Sequence, residues 1–283
     1  MIAFLGMGLL GSNFVRALRK RGDTVRVWNR SPERAKALES VGATAFADAA
    51  EAVRGATRVH IVVSDDAAVD SVLESARPGL SKDVVIVDHT TTSPTGTRER
   101  VKRWTERGIA FQHAPVFMGP QNALESTGTM LASGERARFD ALQPELAKMT
   151  GKLVYLGEEV ERAAKFKLLG NSFLMFLTSG LADFFALATS MGVPSKEAAT
   201  LFQTFNPAMT VPMRLERVLA QNFKDPSWEL AMARKDARLM MEAAAQAGGK
   251  LAVIPAIAAA MDKFIDQGHS HDDWTVIAKD GLS

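Results

Sequence analysis

The first fourteen residues limit the possible fold more than any other stretch of this chain. An apolar run at residues 2–5 leads into Gly6-x-Gly8-x-x-Gly11, and a segment with helical spacing follows. In a dinucleotide site the first glycine permits a tight strand-to-helix turn. The second lets a pyrophosphate approach the backbone, and the third lets the helix pack close to the strand. The motif therefore predicts a dinucleotide-binding βαβ unit, although a glycine-rich turn in an ordinary βα unit has the same pattern. We expect the whole turn to contact the cofactor: Gly6, Met7, Gly8, Leu9, Leu10 and Gly11.

Strand-like and helix-like segments alternate up to about residue 157. The apolar or alternating runs lie at residues 24–28, 43–46, 59–63, 83–88, 109–116, 129–134 and 151–157. Helical spacing fills the intervals between most of them, with the main predicted helices at residues 12–21, 32–41, 48–54, 67–74, 95–108 and 135–149. This alternation predicts an α/β Rossmann fold with a doubly wound sheet, of mixed direction toward its far edge.

The pattern changes after Gly157, where strand-like runs end. Helical spacing follows at residues 160–191, 195–204, 213–220, 227–247 and 254–267, with breaks at glycine and proline. We therefore predict an NAD(P)-binding Rossmann domain at residues 1–158 and an all-α domain at residues 159–283, entered by a long interdomain helix.

Composition excludes several classes of protein. The 283 residues carry a formal charge of +2 and no cysteine. Disulfides, thiolate chemistry and cysteine metal sites are therefore excluded, and we expect no metal. We expect no nucleic-acid partner, because no basic stripe with interleaved aromatic residues occurs. The apolar run at residues 168–187 includes Asn171 and Asp183, which favours a buried helix over a membrane span. The beginning of the chain lacks the basic region of a signal peptide, so we expect a cytoplasmic protein without a membrane partner.

The end of the second strand indicates which dinucleotide binds. NAD-specific folds place an acidic residue there for the ribose 2′-hydroxyl. This chain has Asn29, Arg30 and Ser31 there, with Arg34 one helical turn beyond Arg30. Guanidinium groups suit a 2′-phosphate, so the sequence favours NADPH over NAD. The alternative is that both arginines are solvated surface residues.

Two further strand ends carry polar residues that could face a cofactor. Val63 ends the strand at residues 59–63, and Ser64 and Asp65 follow it. A run of threonines and a serine at residues 90–93 follows the next strand and precedes Pro94. These hydroxyls could contact nicotinamide or substrate, and they could equally cap a helix. His60, inside a strand, is interpreted as a packed core histidine.

The long helix carries a candidate acid and base. Lys167 and Asn171 are spaced i, i+4 on one helical face, whereas Lys165 lies about 200° around the helix from Lys167. An ammonium beside an amide suits carbonyl chemistry, because the lysine can donate a proton to a developing alkoxide. In the reverse direction the lysine must be neutral, which requires a lowered pKa. The alternative is a surface lysine on an amphipathic helix.

Five motifs in order resemble the β-hydroxyacid dehydrogenase family, relatives of 6-phosphogluconate dehydrogenase and of 3-hydroxyisobutyrate dehydrogenase. They are the glycine turn, residues 87–94 (Val-Asp-His-Thr-Thr-Thr-Ser-Pro), residues 113–116 (His-Ala-Pro-Val), the Lys167/Asn171 pair, and residues 235–236 (Lys-Asp). The resemblance covers nearly the whole chain. It implies that Lys167 is the catalytic lysine, with Asn171 beside it, and that Thr91 and Lys235 reach the cofactor. It also implies an NAD(P)-dependent enzyme acting on CH–OH groups, and a homodimer or homotetramer with an interface between helical domains.

The chain departs from this family at three places. Phe117, Met118 and Gly119 stand where the family has Ser-Gly-Gly, whose hydroxyl and amides hold a substrate carboxylate. We assign these three residues and Thr92 to substrate binding. We predict either a weakened carboxylate site served by backbone N–H groups or a more apolar substrate. Residues 161–163 (Glu-Arg-Ala) replace the family's Gly-x-Gly, and His113 replaces an aspartate, where it could titrate or serve a structural role.

The sequence as a whole predicts an NADPH-dependent oxidoreductase that interconverts a small hydroxy acid or alcohol and its aldehyde or keto form. The expected partner is thus a small-molecule carbonyl or hydroxy acid substrate. Imine reductases share the architecture but generally lack this lysine, so imine reduction or reductive amination is an alternative. A non-catalytic dinucleotide-binding protein is another, because a fold alone does not prove turnover.

Overall fold

The chain divides into two compact units in the computed structural model, which describes residues 1–282. The first unit comprises Met1–Ser172 and the second begins at Phe173. The first unit thus extends past residue 158, the boundary predicted from the sequence, and ends inside the long helix.

The first unit is built on a six-stranded sheet. Its strands are β1 (Ile2–Leu5), β2 (Val25–Trp28), β3 (Thr44–Phe46), β4 (Arg58–Ile61), β5 (Val85–Asp88) and β6 (Ala110–His113). They are all parallel and lie in the order β3-β2-β1-β4-β5-β6. The predicted doubly wound Rossmann sheet is confirmed. In this order ligands bind at the carboxyl ends of the strands, beside β1 and β4, where the direction of winding reverses.

Helices cover both faces of this sheet. They are α1 (Leu9–Lys20), α2 (Pro32–Lys36), α3 (Ala49–Val53), α4 (Asp66–Ala76) and α5 (Pro94–Glu106), with short 3-10 helices at Ala37–Val41 and Arg77–Gly79. Successive side chains of β1 point to opposite faces, as the pleat requires. Ile2 and Phe4 enter the core under α1, whereas Ala3 and Leu5 enter the core under α3, α4 and α5.

A second, three-stranded sheet holds the mixed strand directions. It comprises β7 (Val116–Phe117), β8 (Thr129–Ala132) and β9 (Lys152–Tyr155), with β7 antiparallel and β9 parallel to β8. The expectation that mixed direction occurs at the far edge of the main sheet is therefore wrong, because β6 ends before Pro115 and the chain continues into a separate sheet. The helices here are α6 (Pro120–Glu125), which was not predicted, and α7 (Arg136–Leu146) with a 3-10 turn at Ala147–Met149.

Helices form the rest of the chain, as predicted. Helix α8 (Arg162–Ser190) runs through 29 residues. It is followed by α9 (Ser195–Ala199), α10 (Leu201–Thr204), α11 (Val211–Leu219), α12 (Leu230–Gln246) and α13 (Ile254–Asp266), with 3-10 helices at Pro207–Thr210 and Trp274–Gly281. In the second unit the buried carboxylate of Asp183 accepts the N–H groups of Ala252, Val253 and Ile254 at 2.7–2.9 Å. Asp183 thereby anchors the start of α13 to α8.

The apolar surface of α8 is mostly exposed. By length and composition alone this helix could cross a membrane, and only 11% of its apolar window is buried. The expectation of a buried helix is therefore wrong for the isolated chain. The exposed large apolar side chains between residues 169 and 177 are Leu169, Phe173, Leu174, Met175, Phe176 and Leu177.

A row of polar groups is buried inside the first unit. Arg58 donates to His60 Nε2 at 2.8 Å, and His60 Nδ1 lies 2.8 Å from His89 Nε2. His89 Nδ1 lies 2.8 Å from the Ala114 carbonyl oxygen, which can only accept, so His89 donates there and His60 donates to His89. The two imidazoles stack between Phe4 and Phe14. Each ring must stay neutral to keep this chain of hydrogen bonds, which confirms His60 as a core histidine.

Burial lowers the pKa of all three histidines in this unit's core. The pKa of His89 falls to about 4 and that of His113 to about 4, and burial also lowers the pKa of His60. His113 is therefore neutral near pH 7, which favours its structural role over titration. Burial acts oppositely on a carboxyl group, and it raises the pKa of Asp88 to about 6.

We predict that acid destabilises this protein well above pH 4. Unfolded histidines bind protons near pH 6.5, whereas folded His89 and His113 bind them near pH 4, so the unfolded state holds more protons between these values. Asp88 acts in the opposite direction. Its pKa is higher in the folded state than in the unfolded state, so the folded state holds one more proton there. The free energy of unfolding should fall by about 1.4 kcal/mol per pH unit for each net proton.

Urea unfolding at pH 7, 6 and 5 measures this effect. His113→Gln should reduce the slope of the unfolding free energy against pH by the contribution of about one proton. The matched control is His271→Gln, at an exposed histidine, which should leave the slope unchanged. A free energy of unfolding that is constant between pH 7 and pH 5 would contradict the prediction.

Candidate functional site

The glycine turn brings the start of α1 against the sheet. Gly6 has φ +97°, and a Cβ there would lie 2.1 Å from the Val62 carbonyl oxygen. A Cβ on Gly11 would lie 1.9 Å from the Gly6 carbonyl oxygen. Neither position can hold a side chain without moving backbone. By contrast, nothing lies within 4 Å of a Cβ built on Gly8, so the turn is open on the side that a phosphate would approach.

A cavity of about 310 Å³ lies at this edge of the sheet. Its lining includes ten predicted cofactor residues: Gly6, Gly8, Leu10, Gly11, Asn29, Arg30, Ser31, Arg34, Val63 and Ser64. Sequence reasoning missed four others, Trp28, Val62, Ala68 and Val72. These four are apolar residues at strand ends and on α4, and their spacing is that of ordinary core positions.

Five residues assigned to the cofactor do not line this cavity, and four of them belong to the first unit. Met7 is buried in the core beneath the turn, whereas the Leu9 side chain is 79% exposed. Asp65 caps α4 by accepting the Ala68 N–H at 2.8 Å. Thr91 is exposed on the loop after β5. Their contact with a cofactor stays a prediction.

Asn29 joins the glycine turn to the loop after β2. Its Oδ1 accepts the Met7 N–H at 2.8 Å, and its Nδ2 donates to the Ser31 carbonyl at 3.0 Å. Arg30 and Arg34 are exposed next to it. Neither arginine forms an ion pair within residues 1–282, and no acidic side chain of this range lines the cavity. Two cations without acidic partners therefore flank its mouth.

A buried arginine that sequence reasoning missed ties two loops of the site together. Arg100, on α5, has no solvent exposure and pairs with Asp66 at 2.9 Å and Asp70 at 2.8 Å. Its Nη1 lies 3.9 Å from Asp88 Oδ2. Asp66 also accepts the Ser93 N–H at 2.8 Å. Arg100 thus holds the loop after β4 to the loop after β5.

Direct hydrogen bonds join the same two loops. The Val63 N–H donates to Thr90 Oγ1 at 3.1 Å, and the Thr90 N–H donates to Asp88 Oδ1 at 2.8 Å. Thr92, which we assigned to substrate, is buried, with its hydroxyl 2.9 Å from Thr97 Oγ1 and 3.2 Å from His113 Nε2. Thr92 therefore stabilises the loop from its buried side. Of Thr90, Thr91 and Thr92, only Thr91 is exposed.

Lys167 and Asn171 meet as their spacing predicts. Lys167 Nζ donates to Asn171 Oδ1 at 2.9 Å, and Lys167 is 8% exposed. Burial lowers the pKa of Lys167, and no charged neighbour contributes to the shift. Lys165 is exposed and pairs with Glu159 and Glu161. The two lysines thus occupy different environments, and only Lys167 is a desolvated acid.

The segment assigned to substrate lies against the start of α8. The Phe117 ring centroid is 4.3 Å from Lys167 Nζ. Met118 packs against the core under α1, and the Gly119 N–H donates to Asn122 Oδ1 at 2.9 Å. Lys167, Asn171 and Phe117 therefore form one cluster within the first unit.

Lys235 belongs to the second unit. It is on α12, where its side chain is 43% exposed and lies 2.7 Å from Asp236 Oδ1. Its predicted contact with cofactor or substrate stays a prediction.

Residues 1–157 match the family described as the NAD binding domain of 6-phosphogluconate dehydrogenase. The chain belongs to this family. It is 28% identical over 205 residues to mitochondrial 3-hydroxyisobutyrate dehydrogenase of Drosophila melanogaster, covering 72% of this chain and 63% of that protein. It is 31% identical over 253 residues to the cytokine-like nuclear factor N-PAC of Homo sapiens, covering 84% of this chain and 43% of that protein. The match thus spans less than two thirds of either relative.

A solved structure has the same fold over the whole chain. The imine reductase from Myxococcus stipitatus in complex with NADP⁺ superposes with a TM-score of 0.92 at 20% identity, covering 99% of both chains. At this identity the likeness shows the fold alone. The resemblance to relatives of 6-phosphogluconate dehydrogenase is confirmed, and so is the prediction of an NAD(P)-binding domain in the first half of the chain.

We predict that the two unpaired arginines discriminate between dinucleotides. Replacing both, Arg30→Ala with Arg34→Ala, should raise the Kd for NADPH by about tenfold or more, because charge-assisted hydrogen bonds to a 2′-phosphate are lost. The Kd for NADH should change little. Fluorescence titration of each dinucleotide measures both constants.

The matched control for this experiment is Lys36→Ala. Lys36 is an exposed cation on the same helix, and it does not line the cavity. Its replacement should affect neither dinucleotide. Equal weakening of NADPH and NADH in the double variant would contradict a role for the arginines in discrimination.

Proposed function

We propose that this protein is an NADPH-dependent oxidoreductase that interconverts a small hydroxy acid or alcohol and its aldehyde or keto form, with Lys167 as general acid and base. The observation that carries this proposal is the buried ammonium of Lys167, held by Asn171 at 2.9 Å and paired with no carboxylate within residues 1–282. A structural lysine of this burial would need a carboxylate partner to offset its desolvation.

The cavity at the sheet edge fits a dinucleotide. The first N–H groups of α1 have no acceptor within the helix, and they lie beside the open side of Gly8. Asn29, Arg30 and Arg34 would hold the adenosine end, and the exposed arginines favour a 2′-phosphate there. A bound nicotinamide dinucleotide supplies or accepts the hydride.

Lys167 manages the proton that accompanies this hydride. An ammonium has three N–H donors, and Asn171 takes one of them. Another can donate to a substrate carbonyl oxygen as negative charge develops on it, so that the oxygen gains a proton while its carbon gains the hydride. In oxidation the neutral amine takes the proton back from the hydroxyl. The lowered pKa of Lys167 helps both directions, because it makes the ammonium a stronger acid and the amine more abundant.

Two alternatives are supported by the comparisons. The imine reductase fold favours reduction of an imine, but a protonated substrate iminium would be repelled by the ammonium of Lys167. The likeness to a relative that is named as a nuclear factor and not as an enzyme leaves a non-catalytic dinucleotide-binding protein as the second alternative. The Lys167/Asn171 pair has no function in such a protein, so carbonyl chemistry explains more of the site.

A second copy of this chain is the partner that we propose for the exposed face of α8. Apolar side chains from Phe173 to Leu177 are each more than half exposed along this helix. So large an apolar surface on one element is typical of an interface, and the same surface on two copies is self-complementary around a twofold axis. Asp183 also ties α8 to a helical unit through three backbone groups, which favours a protein interface over a lipid one.

We predict that turnover depends on Lys167. The full chain should oxidise NADPH in the presence of small aldehydes or ketones, and Lys167→Ala should lower kcat by about 10²–10⁴-fold, as loss of a general acid does. NADPH absorbance follows the reaction, and the Kd for NADPH should stay unchanged.

Lys165→Ala is the control, because that lysine lies two residues away and is exposed. It should keep the wild-type rate. Wild-type turnover by Lys167→Ala would contradict the assignment. Faster, lysine-independent reduction of a cyclic imine would favour the imine alternative, and NADPH binding without any turnover would favour the non-catalytic one.

We predict that a charge on α8 disrupts the assembly. Phe176→Lys, at a position that is 67% exposed, should convert dimers to monomers in light scattering, because burying an unpaired ammonium in an apolar interface is costly. Val41→Lys, at an exposed apolar residue of the first unit, should keep the wild-type mass. A monomeric wild-type chain would contradict the proposal.

A further inference from the structure

The Phe117 side chain covers the proposed acid. Lys167 Nζ lies 4.3 Å from the centre of the Phe117 ring, within the range of a cation–π interaction. The ring also fills the space over Gly170, where a built Cβ would lie 2.3 Å from Phe117 Cζ. Lys167 and Gly170 are three residues apart and share one face of α8. The ring therefore rests on α8 beside the ammonium, and a larger residue at position 170 would displace it.

The segment around Phe117 offers little to an anion. Residues 116–120 contain no charged side chain and no hydroxyl. The Gly119 N–H already donates to Asn122 Oδ1 at 2.9 Å, and Pro120 has no N–H. Val116 and Phe117 are paired with β8. One of our two sequence-based hypotheses was a carboxylate site served by backbone N–H groups, and these contacts reduce the number of its donors.

A substrate carboxylate would be costly in this cluster. It would lose its hydration beside the ring, whose face carries partial negative charge. The cation of this cluster is Lys167, and no charged neighbour contributes to the shift of its pKa. Pairing with the carboxylate would draw the ammonium away from the carbonyl oxygen that it must protonate, and would weaken it as an acid.

Resting on the function proposed above, we propose that Phe117 is a specificity-determining residue that restricts turnover to aldehydes and ketones without a carboxylate. The ring both removes the place where an anion could be held and keeps the Lys167 ammonium out of water. The substrates are neutral carbonyl compounds, and the products are the corresponding alcohols.

A pair of substrates that differ in charge tests this proposal. Succinic semialdehyde and its methyl ester present the same aldehyde, with and without a carboxylate. The wild-type enzyme with NADPH should show a kcat/KM at least about tenfold higher for the ester, which corresponds to about 1.4 kcal/mol. In Phe117→Ser the preference should shift toward the acid by a similar factor, mostly through a lower KM for the acid.

The pH profile supplies a second readout that a purely structural role would not move. Reduction needs protonated Lys167, so kcat falls as pH rises through the pKa of this lysine. Phe117→Ser admits water, and the alkaline limb should therefore move to higher pH. Phe117→Leu keeps an apolar cover, and its limb should stay close to that of the wild type.

Phe166→Ser is the matched control. Phe166 neighbours Lys167 in sequence, but it is 41% exposed and its ring faces Arg162. The ratio of ester to acid and the pH profile should both remain as in the wild type. A wild-type preference for the acid, or an unchanged ratio in Phe117→Ser, would overturn the proposal.

Equilibrium binding separates this proposal from the proposed function. Calorimetry on the NADPH-loaded protein compares 4-hydroxybutanoate with its methyl ester, and needs no turnover. Tighter binding of the ester supports the role of Phe117 even if no carbonyl is reduced, whereas tighter binding of the acid overturns it. Absence of any Lys167-dependent reduction would instead refute the oxidoreductase assignment.

Discussion

The contact between α1 and the turn that precedes it is the constraint on which the nucleotide site depends. A side chain at Gly11 would come within 1.9 Å of the Gly6 carbonyl oxygen, and one at Gly6 would collide with the backbone of Val62. Without these side chains, the first turn of α1 lies at the carboxyl end of β1, between β2 and β4. This close approach places the N-terminus of α1 beside the cavity and within reach of the Asn29 side chain. Any added methyl group would push α1 away from the sheet and remove its N–H groups from the position that a phosphate would occupy.

Buried charge holds the opposite side of the same edge. Arg100 has no exposure and joins Asp66 and Asp70 of α4 to Asp88 of β5. Removing one partner from such a group leaves an unpaired buried charge. The free-energy cost of that charge is larger than the net stabilisation that the intact group provides. The loops after β4 and β5 are therefore fixed to α5 as well as to each other. The hydrogen bonds and ion pairs at this edge thus hold the backbone of both loops in place.

Local patterns predicted much of this molecule, because they record local physics. The glycine spacing predicted the turn, and the i, i+4 spacing predicted the hydrogen bond between Lys167 and Asn171, since both depend only on backbone geometry. The doubly wound sheet followed from the alternation of strands and helices, whereas the order of its strands came from the structure. Helix α6 was missed, and so was the second sheet, because pairing between distant strands has no signal in a single sequence. Arg100 was missed for a similar reason, because its ion-pair partners Asp66 and Asp70 lie on a different helix.

The amino-acid sequence by itself determined the family, the doubly wound sheet, the helical second half and the choice of Lys167 over Lys165. Tertiary structure alone decided which side chains share an environment. It buried Thr92 and left Thr91 exposed, it placed the Phe117 ring on the Lys167 ammonium, and it left the apolar face of α8 uncovered. The physical reason is that periodicity reports which way a side chain points from its own element. Desolvation, pKa and access depend on what packs against it, and those neighbours come from elsewhere in the chain.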